Sequence, residues 1–335
     1  MTTFYTKGTA IEFIERVFGE GKLSNGGLNV SVLCPECESK KEQGYSKKKL
    51  VIRTDNFISH CWVCNTKSRN LVPWIKKWKP NFLSEYITTF LKSEQLKDLD
   101  GGEFEDRGQK KQHTSLPDGF TFLWHSQTSD ARRAKRYLSK DRGIKEEKDF
   151  WYWKLGIVDS EVSPQAPHVG RIIVPSFDKE GELNYWTGRA FKKGIYPKYI
   201  NPTVPRESII FNEINLDWKN PIVIVEGPFD LFKCSENATC LLGSTLDPSY
   251  LLFRKIVENE TPVILALDCD AKEKTFEIAK NLLEYGVKVD LLRVPETKQD
   301  VGAMSKKEFL DLKDTATPFT VENSLLEKIR LTFGN

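Results

Sequence analysis

Two stretches of the chain decide its fold: residues 222–230, with the sequence IVIVEGPFD, and residues 263–270, with the sequence VILALDCD. Each is a short apolar run that ends in carboxylates, which is typical of a buried strand in a parallel sheet. The carboxyl ends of such strands meet at one edge of the sheet and form its ligand crevice. The pattern therefore predicts that Glu226, Asp268 and Asp270 lie close together at that edge.

These three carboxylates indicate a divalent-cation site. Acids gathered in one crevice repel each other unless a cation neutralises them, and an all-oxygen set of ligands selects Mg²⁺ or Mn²⁺. The same acids could instead cap the helices that follow the strands. Capping explains one acid per turn and does not explain an Asp-x-Asp motif beside a glutamate, so we favour the cation site.

The sequence around these stretches alternates between strand and helix patterns. Apolar runs at 240–242 and 287–294 predict two further strands, with helical segments between them. Such alternation implies a parallel sheet covered by helices. We therefore predict an α/β domain over residues 220–302, followed by a helical tail over residues 303–335.

The segment before this domain has a different pattern. Residues 131–141 predict a basic helix, whereas 171–177 and 183–189 predict neighbouring strands of a meander. Residues 119–219 are therefore predicted to form a mixed α+β subdomain. Residues 96–118 precede it and are rich in glycine and in charges of both signs, which predicts a flexible linker.

The segment before the linker, residues 1–95, contains two Cys-x-x-Cys pairs. The pairs are separated by 23 residues with strand and turn signals, and their members are Cys34, Cys37, Cys61 and Cys64. A single pair would leave a redox site open, but two pairs at this spacing predict one tetrahedral zinc ion. Because four protein ligands leave no open position for water, the zinc is predicted to be structural.

Cationic and aromatic side chains surround the cysteine pairs. The aromatic residues Phe57 and Trp62 lie near them, and the basic residues are Lys40, Lys41, Lys47, Lys48, Lys49, Arg53, Lys67 and Arg69. This combination suits a nucleic-acid strand whose phosphates meet cations and whose bases stack on rings. A solvated charged surface over a small core is the alternative interpretation.

Composition and charge narrow the class of protein. The 335 residues are 39% hydrophobic and 29% charged, which excludes global disorder, and no apolar run is long enough to cross a membrane. The N-terminus lacks the apolar stretch of a signal peptide, so we expect a cytoplasmic protein. The net charge of +3 hides a gradient, from +6 over residues 1–95 to −4 over residues 219–335. The predicted zinc domain is thus basic and the predicted cation-binding domain is acidic.

The two acidic motifs resemble those of a known fold. Glu226-Gly-x-x-Asp230 with Asp268-x-Asp270 is similar to the Toprim motif of bacterial primases, type IA and type II topoisomerases, OLD-type nucleases and RecR recombination mediators. The segment from His60 to Cys64 (HCWVC) resembles the second zinc knuckle of DnaG-type DNA primases. The first knuckle of that family usually has Cys and His, whereas Cys37 stands in the His position here, as in several phage primases.

The segments between and after these motifs extend the resemblance over roughly residues 30–310. They are Tyr137-Leu-x-x-Asp-Arg142-Gly-Ile, Gly170-Arg171-Ile-Ile-Val-Pro175, Thr187-Gly-Arg189, Lys198-Tyr199-Ile-Asn201 and, after the acidic motifs, Pro295 to Gly302. Their order along the chain is that of DnaG-type primases, most closely stand-alone phage primases. One position departs from the family pattern, because Gly302 stands where many members have a second late aspartate.

The resemblance implies a fold class and an activity. The fold class is multidomain α+β and α/β, with an N-terminal zinc ribbon, a mixed α+β subdomain and a Toprim parallel-sheet domain. The activity is that of a DNA primase, which synthesises RNA primers from NTPs on single-stranded DNA. The resemblance also implies that Glu226, Asp268 and Asp270 are catalytic metal ligands, and that Asp230 and Asp300 are further ligands of Mg²⁺ or Mn²⁺. The residues implied to contact NTP or template are Arg142, Arg171, Arg189, Lys198, Tyr199 and Asn201.

Partners and rival functions follow from the same comparison of motifs. The sequence contains no phosphate-binding loop of the Gly-x-x-x-x-Gly-Lys-Ser/Thr type, so we expect a hexameric replicative helicase to act in trans. A non-enzymatic DNA-binding mediator of the RecR type is the main alternative, and a Toprim nuclease is the next. A topoisomerase would need a further large domain with a nucleophilic tyrosine, for which the chain has no room.

Overall fold

The computed structural model describes residues 5–40, 47–91, 114–234, 237–298, 300–320 and 323. The chain divides into two compact units. The first consists of Met1–Gln109, Val257–Glu260 and Asn281–Val287, and the second consists of Lys110–Ile256, Thr261–Lys280 and Lys288–Asn335. Most of the predicted linker, and residues 321–322 and 324–335 of the predicted tail, lie outside the described residues. Within the described ranges, no helix combines the length and the apolar character that a membrane span requires.

The first unit contains an antiparallel sheet of five strands in the order β1-β2-β3-β4-β5. The strands are β1 (Lys22–Ser24), β2 (Asn29–Val32), β3 (Leu50–Arg53), β4 (Ser59–Cys61) and β5 (Lys67–Ser68). Its helices are α1 (Lys7–Phe18), α2 (Pro35–Lys40), α3 (Val72–Trp78) and α4 (Leu83–Phe90). Two apolar faces, one on α1 and one on α3, pack into the core of this unit.

The helix α1 illustrates how local sequence sets an element. Its apolar residues Ala10, Phe13, Ile14 and Val17 recur at helical spacing and are buried. The Thr6 side chain accepts a hydrogen bond from the Thr9 amide at 3.1 Å, and this cap starts the helix at Lys7, three residues before its first buried apolar residue, Ala10.

The second unit contains an antiparallel sheet in the order β10-β9-β8-β7-β6. Its strands are β6 (Phe120–Phe122), β7 (Gly156–Val158), β8 (Arg171–Phe177), β9 (Leu183–Ala190) and β10 (Tyr199–Ile200). Two helices accompany it, α5 (Ser129–Arg142) and α6 (Glu147–Tyr152). The predicted basic helix and meander strands are therefore present.

A second sheet of this unit has the order β12-β11-β13-β14-β15. Its strands are β11 (Ile222–Val225), β12 (Ala238–Cys240), β13 (Val263–Leu265), β14 (Val289–Leu291) and β15 (Thr317–Phe319). The helices are α7 (Pro228–Leu231), α8 (Leu251–Asn259), α9 (Lys272–Glu284) and α10 (Lys306–Lys313). The last residues of α8 and α9 belong to the first unit. The first four strands pair in parallel and β15 pairs antiparallel to β14. The predicted fold class is confirmed, with a parallel-sheet α/β domain following a mixed α+β subdomain.

Three details differ from the sequence-based expectations, the first being that the strand predicted at 287–294 is limited to Val289–Leu291. The strand predicted at 240–242 lies at Ala238–Cys240, because Leu242 has a positive φ of 56° and turns the chain away from the sheet. The tail predicted as helical contributes α10, but residues 317–319 form an edge strand. An edge position tolerates Pro318, which cannot donate a ladder hydrogen bond.

One hydrophobic core joins the two sheets of the second unit. It includes Ile172 and Val174 from β8, Val223 and Val225 from β11, and Leu138 from α5, all fully buried. Because these side chains share one core, the antiparallel subdomain and the parallel sheet hold each other in a fixed arrangement.

Candidate active site

The structure brings Glu226, Asp268 and Asp270 together. Glu226 directly follows β11, and the two aspartates follow β13, its parallel neighbour in the sheet. One carboxylate oxygen from each of the three lies within 4.8 Å of the others. The group sits at the carboxyl edge of the sheet, where the pattern of apolar strands and acids predicts it.

The electrostatics of this group favour a bound cation. Burial, followed by the nearby Glu226 carboxylate, raises the pKa of Asp268 to about 7, and burial also raises the pKa of Glu226. The Asp268 amide donates to Glu226 Oε1 at 3.3 Å. Asp268 Oδ1 is buried and has no hydrogen-bond partner among the described residues. An unpartnered carboxylate oxygen beside two other acids is the environment that a hard divalent cation satisfies.

Asp230, the fourth predicted ligand, lies outside this group and binds the backbone instead. Its Oδ2 accepts from the Gly227 amide at 2.9 Å and its Oδ1 accepts from the Gly302 amide at 3.0 Å. Burial raises the pKa of Asp230 to about 6. Both carboxylate oxygens are thus engaged in joining the turn after β11 to the segment that contains Gly302.

This contact accounts for the departure at position 302. A Cβ atom on Gly302 would approach Asp230 Oδ1 to 2.8 Å, closer than real Cβ atoms come to their neighbours. A side chain there would push the Asp230 carboxylate away from the amide that it accepts from. The absence of a side chain at Gly302 therefore allows Asp230 to accept the hydrogen bond from the Gly302 amide.

Asp300 is the fifth predicted ligand, and it also lies outside the three-acid group. Its Oδ1 accepts from the Ala303 amide at 2.7 Å and caps the short 3₁₀ helix Val301–Ala303. Its charge contributes to the raised pKa of Asp268. Asp300 is therefore close enough to act on the site electrostatically while one of its oxygens holds the cap.

A cluster of two arginines and three aromatic rings adjoins the acids. The Tyr137 hydroxyl accepts hydrogen bonds from Arg142 Nε at 3.0 Å and from Arg189 Nε at 2.7 Å. Arg189 also donates to the Tyr199 hydroxyl. Both guanidinium groups lie over the Phe229 ring, 5.5 Å and 5.0 Å from its centroid. Phe229 directly precedes Asp230 in the chain, and the Asp230 charge acts on Arg189, so the arginine pair lies near that carboxylate. Arg189 is buried and Arg142 is half-buried, so Arg142 has the more accessible guanidinium for phosphate oxygens.

The remaining predicted contact residues differ in how accessible they are. Arg171 is 2% exposed, and its Nη1 donates to the Lys198 carbonyl at 3.3 Å. Because the Arg171 side chain is buried, it is better placed to hold the chain segment around Lys198 than to contact a ligand. Lys198 and Tyr199 are exposed. The Asn201 side chain accepts from Thr187 Oγ1 at 2.8 Å.

The sequence motifs include Tyr137 and Phe229 without indicating what these two residues do. Tyr137 precedes Arg142 by five residues, which is not a spacing that brings side chains together on a regular helix face. Its hydroxyl is shared with Arg189, 52 residues further along, and only the packing of β9 against α5 creates that contact. The only local signal for Phe229 was its place inside the Glu-Gly-Pro-Phe-Asp motif.

Replacing Tyr137 with Phe tests the arginine pair. The change removes one acceptor shared by two charged donors, so we expect a loss of about 1–3 kcal/mol of folding stability. We also expect several-fold weaker binding of nucleoside triphosphate, because the guanidinium groups lose their common anchor. Thermal melting and nucleotide titration measure the two effects. Tyr250→Phe is the matched control, because no described residue hydrogen-bonds to that hydroxyl.

The four cysteines of the first unit form a separate site. Their sulfur atoms lie within 4.8 Å of one another, and the Cys34–Cys64 and Cys37–Cys61 Sγ distances are 3.8 and 3.7 Å. Zn–S bonds of about 2.3 Å in a tetrahedron place two sulfurs about 3.8 Å apart, so the geometry fits one zinc ion. All four positions are supplied by thiols, and this favours a structural role.

The interpretation of Phe57 and Trp62 as base-stacking rings is wrong. They are 2% and 1% exposed and belong to the buried interior, because small domains must bury their few large rings. Lys49 is also buried, and Lys41 lies outside the described residues.

The remaining basic side chains that the sequence places near the cysteine pairs divide into paired and unpaired ones. Three are in ion pairs, namely Lys40 with Glu36, Lys48 with Glu20 and Arg53 with Asp55. Lys47, Lys67 and Arg69 are exposed and have no acidic partner within the described ranges. The accessible cationic surface is therefore smaller than the sequence indicates.

Comparison with known proteins finds similarity to DNA primases. No protein-family model matches the chain. The DNA primase of Enterobacteria phage T4 is 23% identical over 288 residues, which are 82% of this chain and 80% of that protein. The DNA primase of Staphylococcus aureus (strain COL) is 26% identical over 138 residues, which are 37% of this chain. The aligned part is 23% of the staphylococcal protein, so this chain matches about a quarter of that relative's length.

Solved structures of primases also resemble the chain. The zinc-binding and RNA polymerase domains of the Aquifex aeolicus primase match with a TM-score of 0.44 and 17% identity, over 98% of this chain and 91% of that one. The E. coli primase catalytic core matches with a TM-score of 0.49 and 17% identity, over 63% of this chain and 81% of that one. The similarity to DnaG-type DNA primases that the motifs indicate is confirmed by the curated relatives, one of which aligns with four fifths of the chain.

Proposed function

We propose that the protein is a DNA primase that synthesises short RNA primers from NTPs on single-stranded DNA. The observation that carries this proposal is the convergence of three carboxylates at the ends of β11 and β13, next to an arginine pair. Nucleotidyl transfer needs both elements, because cations must offset the triphosphate charge where the reaction takes place. The alignment with the phage T4 DNA primase along most of the chain supports the same activity.

In the proposed mechanism the acids hold the catalytic metal. Glu226, Asp268 and Asp270 would bind Mg²⁺ or Mn²⁺, which supplies charge stabilisation at the triphosphate and at the attacking 3′-oxygen. Asp230 would act as a positioning residue, since its two backbone hydrogen bonds fix the turn that carries Glu226. Asp300 would act on the metal through its negative charge or as an outer ligand.

The arginine pair would hold the substrate phosphates. Arg142 and Arg189 are kept in place by the Tyr137 hydroxyl, so their guanidinium groups are ordered before a substrate arrives. Burial, with the neighbouring Arg142, lowers the pKa of Arg189, and a bound phosphate would offset that cost. Lys198, Tyr199 and Asn201 lie beside the pair and would contact template or nucleotide.

We assign the zinc-bearing unit a role in choosing where synthesis starts on the template. The exposed cations Lys47, Lys67 and Arg69 give it a surface that attracts phosphates. The double variant Lys67→Gln, Arg69→Gln is expected to change the distribution of start sites on a long template, with little change in melting temperature. Sequencing of the RNA 5′ ends measures it, and the exposed Lys179→Gln in the second unit is the control. An unchanged distribution of start sites would remove this role.

The proposal includes partners that the primase reaction needs. Single-stranded DNA is the template and NTPs are the substrates. A hexameric replicative helicase would unwind the duplex in trans, and we expect the reaction to take place in the cytoplasm of a bacterial cell.

The test is incubation of the protein with labelled NTPs, Mg²⁺ and a long single-stranded DNA of mixed sequence. Primer-length RNA that requires DNA, NTPs and Mg²⁺ would support the proposal. A DNA complex without RNA would favour a mediator of the RecR type, which also combines a four-cysteine zinc site with a Toprim domain. Cleavage of the DNA would favour a nuclease.

A further inference from the structure

Among the large apolar and aromatic side chains of the described residues, Tyr196 is the most exposed. It is 87% exposed, compared with 62% for Trp151, the next in order. Tyr196 lies in the loop of residues 191–198 between β9 and β10. Its ring and hydroxyl make no hydrogen bond or ring contact with the described residues. An exposed ring of this kind is available to stack on a ligand.

The loop that carries Tyr196 is anchored at its base. Lys192 forms an ion pair of 2.7 Å with Asp130, which is 1% exposed and also accepts from Ser160 Oγ at 2.7 Å. A Cβ atom on Gly170 would come within 2.5 Å of Ile195 Cδ1, so the Ile195 side chain packs directly against that backbone. The contacts of Lys192 and Ile195 fix the part of the loop that precedes Tyr196, while the Tyr196 side chain itself stays exposed.

Backbone hydrogen bonds close the loop after Tyr196. The Lys198 carbonyl accepts from the Ala190 amide at 3.0 Å and from the buried Arg171 side chain at 3.3 Å. The buried Arg171 side chain therefore helps to hold the end of this loop.

The charge around Tyr196 is positive. The segment 191–198 contains three lysines and no acid. Lys192 is neutralised by Asp130, whereas Lys193 and Lys198 are exposed and have no ion pair among the described residues. An exposed ring between two free cations is the combination that binds a single nucleic-acid strand, because the phosphates meet the cations and a base stacks on the ring.

The loop also lies close to the candidate active site. Tyr196 precedes Tyr199 by three residues, so their Cα atoms are at most about 11 Å apart. Tyr199 accepts from Arg189, which belongs to the arginine pair beside the acids. A base on Tyr196 would therefore lie near the arginine pair through which Tyr199 is connected to the site.

We propose that Tyr196 is a base-stacking platform for the single-stranded DNA template, held by its anchored loop at the entrance to the catalytic site. This inference rests on the proposed primase function and adds a template-positioning residue to it. The role predicts a contribution to DNA affinity that depends on the ring and not on the hydroxyl.

Binding of a fluorescein-labelled oligo(dT) by the full chain, without NTPs or added Mg²⁺, tests the proposal. Tyr196→Ala is expected to weaken binding about tenfold, the size of one lost stacking interaction. Tyr196→Phe is expected to bind within twofold of the unmodified protein. Trp151→Ala removes an exposed ring elsewhere and is expected to leave affinity unchanged. Because stacking does not depend on counterions, the tenfold effect of Tyr196→Ala is expected to persist when the salt concentration is raised, whereas the effect of Lys193→Gln shrinks.

A photocrosslink tests the contact itself. An oligonucleotide with 5-iodouracil in place of thymine is expected to crosslink to the peptide that contains Tyr196, as identified by mass spectrometry. Equal affinity of Tyr196→Ala and the unmodified protein, or crosslinks only to other peptides, would overturn the proposal. These measurements need no RNA synthesis, so a failure of this inference is distinguishable from a failure of the primase function.

Discussion

Asp268→Asn is expected to abolish RNA synthesis and at the same time to stabilise the protein in the absence of divalent cations. Asp268 is one of three clustered carboxylates, and its Oδ1 atom is buried without a hydrogen-bond partner. Loss of a metal ligand in a phosphoryl-transfer site removes several kcal/mol of transition-state stabilisation, so the rate should fall at least about 10³-fold. The neutral amide also removes repulsion within the cluster, which should raise the metal-free stability by about 1 kcal/mol.

Thermal melting with and without Mg²⁺ separates these two effects. A gain of about 1 kcal/mol corresponds to a rise of about 2–4 °C in a unit of this size. Mg²⁺ is expected to raise the melting temperature of the unmodified protein and to leave that of Asp268→Asn unchanged. Asp311→Asn, an exposed acid on α10, is the control and should change neither property. Primer synthesis by Asp268→Asn at the normal rate would show that the three-acid group is not the catalytic site.

Cys61→Ser is expected to release the zinc ion and to unfold the first unit. Cys61 is fully buried at the end of β4, and its sulfur lies 3.7 Å from that of Cys37. Zinc binding supplies on the order of 10 kcal/mol to small zinc domains, which is comparable to the whole stability of a domain. The remaining three thiols and a serine hydroxyl cannot replace that contribution.

Zinc content and circular dichroism measure the result. The unmodified protein should contain one zinc ion per chain, and Cys61→Ser should contain much less and should lose a melting transition. Cys269→Ser replaces a cysteine outside the four-sulfur site and should keep its zinc. Full zinc content in Cys61→Ser with unchanged melting would contradict a four-cysteine zinc site.

The parts of the fold that the sequence predicts best are those with a strong local pattern. The strands at Arg171–Phe177 and Ile222–Val225 have the predicted bounds, because each contains an uninterrupted run of β-branched apolar residues and an acid directly follows each strand. The meeting of Glu226 with the two aspartates follows from the same logic, since parallel neighbours place their carboxyl ends side by side.

The features that local sequence did not indicate depend on contacts between distant segments. The interpretation of Phe57 and Trp62 was wrong because an aromatic ring near a knuckle looks the same in sequence whether it is buried or exposed. The engagement of Asp230 by the Gly302 amide joins residues 72 positions apart. The edge strand β15 forms through antiparallel pairing with β14, which is more than 20 residues away in the chain.

The proposed activity is template-directed RNA synthesis at the three-acid site. Its most direct test is to supply each labelled NTP in turn with unlabelled others, on pairs of single-stranded DNA templates that differ at one base within the primed region. We expect an alkali-labile product in which the incorporated nucleotide changes to the complement of the altered template base, and no product with Asp268→Asn. A product whose composition ignores the template, or DNA binding without any alkali-labile product, would contradict it.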